Sequence, residues 1–308
     1  MTSALILAGA AFVDHLLGEP RRWHPLVGFG RLATKLERTL NRTLSPEKSP
    51  FSLRIRGLLG WTLMVVPFSF GAWYLCQLRV IGPVLAGVLL YFAIGARSLA
   101  QHAEAVSNAL RGGNLEEARC QVGLIVSRDT DSLNETEIVR AACESVLENG
   151  NDAIFAAVFW FFVLGAPGAV LYRLANTLDA MWGYRTPRYR YFGWAAARID
   201  DALNWMPARF TALTYALLGE TRNALRCWAT QAKHWYSPNA GPVMAAGAGA
   251  LGVELGGAAR YHGELKSRPV LGSGRTPQEE HIKRAVRLVQ RGFILWIAMA
   301  FVGGWLHA

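Results

Sequence analysis

Four long apolar runs limit this chain more than any other feature. Gly57–Cys76 holds 20 residues without a charge, Val80–Ala96 holds 17, Ala153–Tyr172 holds 20 and Gly292–Leu306 holds 15. About 20 apolar residues in a helix cross a hydrocarbon core of about 30 Å. Inside lipid every backbone N–H and C=O must find its partner within the protein, which leaves helices and closed barrels. The alternating pattern of barrel strands is sparse here. The expected fold is therefore all-α, a polytopic α-helical integral membrane protein with large, mainly helical cytoplasmic loops. Only Gln77, Leu78 and Arg79 separate the first two runs, so they read as a helical hairpin. Trp61, Trp73, Trp160, Trp296 and Trp305 lie in the runs, several near the ends, where an aromatic belt belongs. Hydrophobic residues make up 52% and charged residues 18%, against about 45–50% and 25% in ordinary globular domains.

Residues 4–17 form a shorter apolar segment broken by Asp14 and His15. Without a basic lead-in it does not read as a cleaved signal peptide, and a retained first helix with an acid near its end is expected. Lys plus Arg number 32 against 22 Asp plus Glu, a net +10. Basic loops stay in the cytoplasm, which assigns 18–56, 97–152 and 219–291 to that side. Segment 173–218 conflicts with a full span at 153–172, because Arg173, Arg185, Arg188, Arg190, Arg198 and Arg209 would then face outward. Pro167 within Gly165–Gly168 breaks a helix. A bent or re-entrant segment would return 173–218 to the cytoplasm, all within one 1–308 membrane domain. The chain has no dense basic stripe with interleaved aromatics, so nucleic acid is not an expected partner. Cys76, Cys120, Cys143 and Cys227 lack metal or disulfide spacing and read as reduced thiols.

Ser132–Glu135 reads as a capping box opening a helix to about Asn149, and Thr276–Glu279 as another opening a basic helix with Lys283, Arg284, Arg287 and Arg291. At 100° per residue, Glu137, Glu144 and Glu148 fall within about 40° of one another, with Asp152 near the same line. Like charges at i,i+4 destabilise a helix. Such a stripe is either a solvated face or a site for Mg²⁺ or basic side chains, and Arg128, Asp129 and Arg140 lie close in sequence. Asp200, Asp201 and Asn204 form a second set of oxygen ligands suited to Mg²⁺ and phosphate, with a helix cap and a surface acid as the plain alternative. Arg188 and Arg190 lie among Tyr184, Tyr189, Tyr191 and Phe192, placed to grip an anion or to anchor at lipid headgroups. Ser237–Gly241 and Gly272–Arg275 are turns able to offer backbone N–H groups, though neither is a nucleotide-binding P-loop. His24, His234 and His262 have no ligand spacing.

The ordered motifs resemble the CobD/CbiB family of cobalamin biosynthesis, the adenosylcobinamide-phosphate synthases. Asp14–Pro20, His24-Pro25 and Gly30-Arg31 come first, then Ser127–Thr130, Glu135–Ile138, Glu144–Val146, Glu148-Asn149 and Asp152. Tyr172-Arg173, Asn176–Asp179, Arg188–Trp194, Arg198–Asp201 and Asn204-Trp205 follow, then Ser237–Gly241, Leu255–Gly257, Tyr261–Gly263 and Gly272–Arg275. One departure is Ala156–Trp160, where the family commonly reads Ala-Pro-Leu-Phe-Trp. The resemblance implies a bacterial inner-membrane ligase joining aminopropanol or its O-phosphate to a propionate carboxylate of the corrinoid adenosylcobyric acid. ATP would supply the energy and Mg²⁺ the counter-charge, with active loops in the cytoplasm. On that reading Glu137, Glu144, Glu148 and Asp152 serve the metal-nucleotide region, with Asp200 and Asp201 as rival ligands. Arg128 and Asp129 join the catalytic set. Arg188, Arg190, Arg198 and Arg275 bind phosphate or carboxylate, while Asn239 and His262 orient the amine. Membrane lipid, other enzymes of the pathway and a second copy of the chain are the remaining expected partners. A corrinoid carrier or a pathway scaffold is the alternative.

Overall fold

A computed structural model describes residues 1–20, 24–41, 49–261 and 263–306. The chain divides into two compact units: Met1–Gly95 with Ala156–Asn204 and Ala300–Ala308, and Ala96–Phe155 with Trp205–Met299.

In the first unit, α1 (Thr2–Leu17) packs on α4 (Gly82–Ala93), and α3 (Pro50–Cys76) packs on α9 (Ala166–Trp182). The expected hairpin is present as α3 and α4, joined through 77–81. Helix α2 (Pro25–Leu40) turns Phe29 and Ala33 inward, while Arg31, Lys35 and Arg38 stay exposed. This apolar stripe meets Trp61, Met64 and Val65 of α3 and Leu174, Leu178 and Trp182 of α9. His24 caps α2, its Nδ1 accepting from the Leu26 N–H at 3.2 Å. Burial keeps this imidazole below its ordinary pKa, and Arg173 adds to that against the opposing pull of Glu19, which favours the neutral form that can accept.

The run expected over 153–172 straddles two helices. Helix α7 (Glu135–Gly150) passes through a π-helical turn (Asn151–Phe155) into α8 (Ala156–Leu164). Gly165, at φ 70°, then reverses the chain into α9, with Pro167 in its first turn. The break predicted from the proline is therefore present. Its physical agents are a residue free to take positive φ and a ring that fits only at a helix start.

The second unit holds α5 (Ala96–Arg111), α6 (Leu115–Gly123), α7 and the π turn. It also holds the later part of α10 (Trp194–Leu218), α11 (Thr221–Gln231), α12 (Ala240–Leu251) and α13 (Glu279–Leu306) as far as Met299. Every residue of α12 is buried. Small side chains allow this: Gly247 lies against Leu147 and Gly249 against the backbone of Ala224. Between α12 and α13 runs a short antiparallel ribbon, in which β1 (Glu254–Gly256) pairs with β4 (Val270–Gly272) and β2 (Ala259–Tyr261) with β3 (Glu264–Lys266).

Two predicted helix starts move. The cap of α7 is Asn134, reciprocated by Glu137, and not Ser132. Helix α13 begins at Glu279 rather than after Thr276; the Gln278 N–H donates to His281 Nδ1 at 3.0 Å. Among the described residues four stretches are long and apolar enough to cross a membrane: Pro50–Cys76, Gly82–Arg111, Glu135–Leu164 and Glu279–Leu306. Much of their apolar surface is outward, including Leu59, Leu63, Val66 and Phe70 of α3 and Ile294, Met299 and Val302 of α13. Rows of this size are unusual on a water-facing monomer and ordinary against lipid.

Candidate functional site

The site in the second unit starts from α7. Its first turn is closed by the Asn134–Glu137 box, with the Asn134 N–H donating to Glu137 Oε2 at 2.8 Å and the Glu137 N–H donating to Asn134 Oδ1 at 3.0 Å. Glu137 therefore spends its carboxylate on the helix end. Seven residues on, Glu144 is 3% exposed. An unpaired carboxylate so buried would be very costly, and here it is fully met. Its Oε1 accepts from the Gly256 N–H at 2.7 Å and from Arg268 Nη2 at 3.1 Å. Its Oε2 accepts from Arg268 Nη1 at 3.1 Å and from Arg128 Nη2. Both guanidiniums are nearly enclosed, at 5% and 9% side-chain exposure.

Each partner is itself fixed. Ser145 Oγ donates to the Ile125 carbonyl at 2.7 Å, tying the segment before Arg128 to α7. Asp129 accepts from the Gly263 N–H at 2.7 Å, and its own N–H donates to the Arg260 carbonyl at 3.0 Å, which ties that segment to the ribbon tip. Gly256 has φ 75°, and a Cβ there would strike the Pro269 carbonyl; only glycine aims this N–H at the carboxylate without strain. Arg268 donates from Nε to the Gly257 carbonyl at 2.9 Å and stacks over Trp235 at 5.2 Å. Burial works against its charge, yet Glu144 outweighs burial and holds its pKa above the ordinary arginine value.

One turn beyond Glu144 stands Glu148, under the electrostatic influence of Asp152, Glu144, Arg128 and Arg268. Asp152 lies in the π turn and accepts from Asn151 Nδ2 at 2.8 Å. Glu148 thus feels both Glu144 on its own helix and Asp152 in the π turn, and Glu137 is held at the helix start. Among the described residues no three His, Cys, Asp or Glu side chains are grouped to hold a metal ion. Mg²⁺ bound with phosphates takes only one or two carboxylates from protein, a number that Glu148 and Asp152 could supply.

The other expected residues are dispersed in role. In the first unit Asp200 accepts from Asn176 at 3.3 Å and from Asn204 at 3.0 Å, and Tyr172 donates to Asn204 Oδ1 at 3.0 Å. Asp201 pairs with Arg198 at 3.6 Å; burial pushes its carboxyl up against the pull of Arg198 and Arg185. Arg188 makes a bidentate pair with Glu37, at 3.0 Å from Nε and 2.6 Å from Nη2. Arg190 is exposed and stacks over Tyr191 at 5.5 Å. In the second unit Asn239 is buried and accepts from Arg209 at 2.9 Å. Arg275 anchors the ribbon base through its backbone, with its side chain exposed. His262 lies outside the described residues. Sequence reading missed Arg268, whose one signal is general: a buried carboxylate demands a buried cation.

A family model described as "CobD/Cbib protein" matches residues 7–289. A Chromobacterium violaceum protein named "Cobalamin biosynthesis protein CobD" is 60% identical over 312 residues, covering 100% of both chains. A protein of the same name from Stutzerimonas stutzeri is 58% identical over 308 residues, again covering 100% of both. One from Mycobacterium tuberculosis is 40% identical over 94% of this chain and 93% of its own. No solved structure matches. With a family model matching residues 7–289 and relatives matching along its full length, the chain belongs to the CobD/CbiB family.

Proposed function

We propose that the protein acts in cobalamin biosynthesis as a multi-pass inner-membrane ligase with its active loops in the cytoplasm. It would join aminopropanol or its O-phosphate to a propionate carboxylate of adenosylcobyric acid with ATP. The observation that carries this reading is the buried Arg128–Glu144–Arg268 cluster beside Glu148 and Asp152. A carboxylate does not react with an amine until its oxygen becomes a leaving group. Transfer of the γ-phosphoryl of ATP onto that oxygen releases ADP and makes an acyl phosphate. The amine nitrogen then attacks the acyl carbon, the C–O bond breaks, phosphate leaves and the nitrogen releases one proton.

Arg128 and Arg268 supply fixed positive charge where phosphoryl charge gathers. A guanidinium carries five N–H donors, and the Glu144 contact uses one on Arg128. Glu144 is a positioning residue on this reading, since its oxygens are already engaged. Glu148 and Asp152 would hold Mg²⁺, which neutralises phosphate charge when bound. Burial of the cluster keeps water from the acyl phosphate.

The test is ADP release by purified, detergent-solubilised protein given corrinoid acid and amine. Release that requires both substrates supports the ligase. Glu148→Gln with Asp152→Asn should then lower turnover by about 10²-fold or more, with the melting midpoint kept. Corrinoid binding without ADP release identifies a carrier instead, and amide synthesis that survives both substitutions removes these two acids from the chemistry.

A further inference from the structure

A pocket in the same unit is separate from the cluster around Glu144. It encloses about 300 Å³ where the ends of α10 and α12 meet the early turns of α13. Leu218, Leu251 and Leu288 give it apolar walls, and Arg284, Arg287 and Arg291 line it with cations. These arginines recur at intervals of three and four along α13, one face of a helix. No ion pair joins any of them to an acid among the described residues. Arg284 reaches the Leu251 carbonyl at 3.3 Å and so serves the end of α12. Among the described residues Arg287 hydrogen-bonds only to the Lys283 carbonyl of its own helix, at 3.4 Å. Glu280 is the one acid in the lining, which leaves three positive charges against one negative.

Arg284, Arg287 and Arg291 are all exposed and line one small pocket, so an anion entering it would meet three guanidiniums at once and offset their mutual repulsion. Arginine's planar fork matches the oxygens of a phosphate group better than a single halide. The position adds a second constraint. Arg291 is the last charge before Gly292–Leu306, 15 residues with none, so the pocket opens where α13 enters its apolar stretch. We propose that this pocket binds a phosphate-bearing anion, with Arg287 and Arg291 as its principal ligands and the three leucines receiving the apolar part. Its chemistry suits the headgroup of an anionic phospholipid or a free phosphate compound.

The experiment separates these sources. Full-length protein is placed in phosphatidylcholine nanodiscs, and its melting midpoint is followed as phosphatidylglycerol is mixed into the discs or inorganic phosphate is added. Stabilisation by phosphatidylglycerol alone assigns a lipid headgroup. Equal stabilisation by inorganic phosphate in neutral discs assigns a free phosphate. In either case each arginine removed should raise the half-saturating ligand level about fivefold, and Arg287→Gln with Arg291→Gln about 25-fold. Glu280→Gln should lower it, a change of sign that lost packing would not produce. Arg222→Gln, an exposed site on α11 outside the pocket, should leave it unchanged. Because each variant is compared with itself in neutral discs, a lower intrinsic stability does not mask the outcome, and Arg287→Lys with Arg291→Lys provides a charge-retaining partner. The proposal is overturned if wild type responds to neither ligand, if the double glutamine variant responds as wild type does, or if Arg222→Gln loses as much.

Discussion

Glu144 and Glu37 show what a single carboxylate does when buried with arginine. Truncating one partner of a buried pair leaves the other charge in a poor solvent, at about 3–5 kcal/mol. Arg268→Ala should cost that much in thermal unfolding of the purified protein. Arg268→Lys should recover little, because an ammonium cannot serve both Glu144 oxygens and the Gly257 carbonyl from one plane. Glu37 is buried at 1% exposure. Burial alone would raise its pKa, but hydrogen bonds from Arg188 and Asn41 outweigh burial and hold it below the ordinary 4.5. A depressed carboxylate adds stability that is whole above the unfolded value and is lost as pH falls through the folded one. Acid titration of the melting midpoint should therefore show a loss beginning below about pH 4.5 that Glu37→Gln removes, with a lower midpoint at neutral pH. Glu144 was visible in sequence as part of an acidic stripe. Arg268 was not, because 124 residues separate the two and no local pattern records a contact of that range.

At the level of elements, helices with strong local signals were legible and their ends less so. The α3–α4 hairpin follows from two apolar runs and a three-residue gap, and the reversal at Gly165 follows from Pro167. Glu137 was misread because a stripe calculation treats every acid on a face alike, whereas the third position of a helix has a vacant backbone N–H within reach of its side chain. The ribbon from Glu254 to Gly272 left little signal, since its strands are three residues each and its geometry rests on glycines. Gly256→Ala tests that geometry. A Cβ at φ 75° meets the Pro269 carbonyl, and strain of this kind costs about 1–3 kcal/mol. Loss of the N–H to Glu144 should follow, so the variant should lose turnover together with stability. Normal turnover and an unchanged midpoint would show that the ribbon accommodates the methyl.

For the whole molecule, sequence and structure agree on helices that can cross a membrane, while the side on which each loop lies belongs to the proposal. Basic residues in 173–218 favour the cytoplasm, and the reversal between α8 and α9 gives the chain a means of turning back. Tyr189→Cys in a background with Cys76 and exposed Cys120 changed to Ser should resist an impermeant thiol reagent applied to intact cells and react after lysis. Labelling in intact cells would place this segment outside. Helical hairpins can be read from hydropathy because each is local. The grouping of Ala96–Phe155 with Trp205–Met299 cannot, because it depends on which distant surfaces fit.

The long reach of the Glu144 contacts also has a consequence in time. Arg128 leaves the ribosome before Glu144, but Gly256 and Arg268 follow by 112 and 124 residues. At about 5–20 residues per second, synthesis leaves the carboxylate without its second arginine for roughly 6–25 s. During that interval α7 carries an acid provided with one of its three eventual partners, beside an apolar segment already able to enter lipid. Completion of the cluster is therefore a late event in the making of each molecule, set by translation as much as by folding.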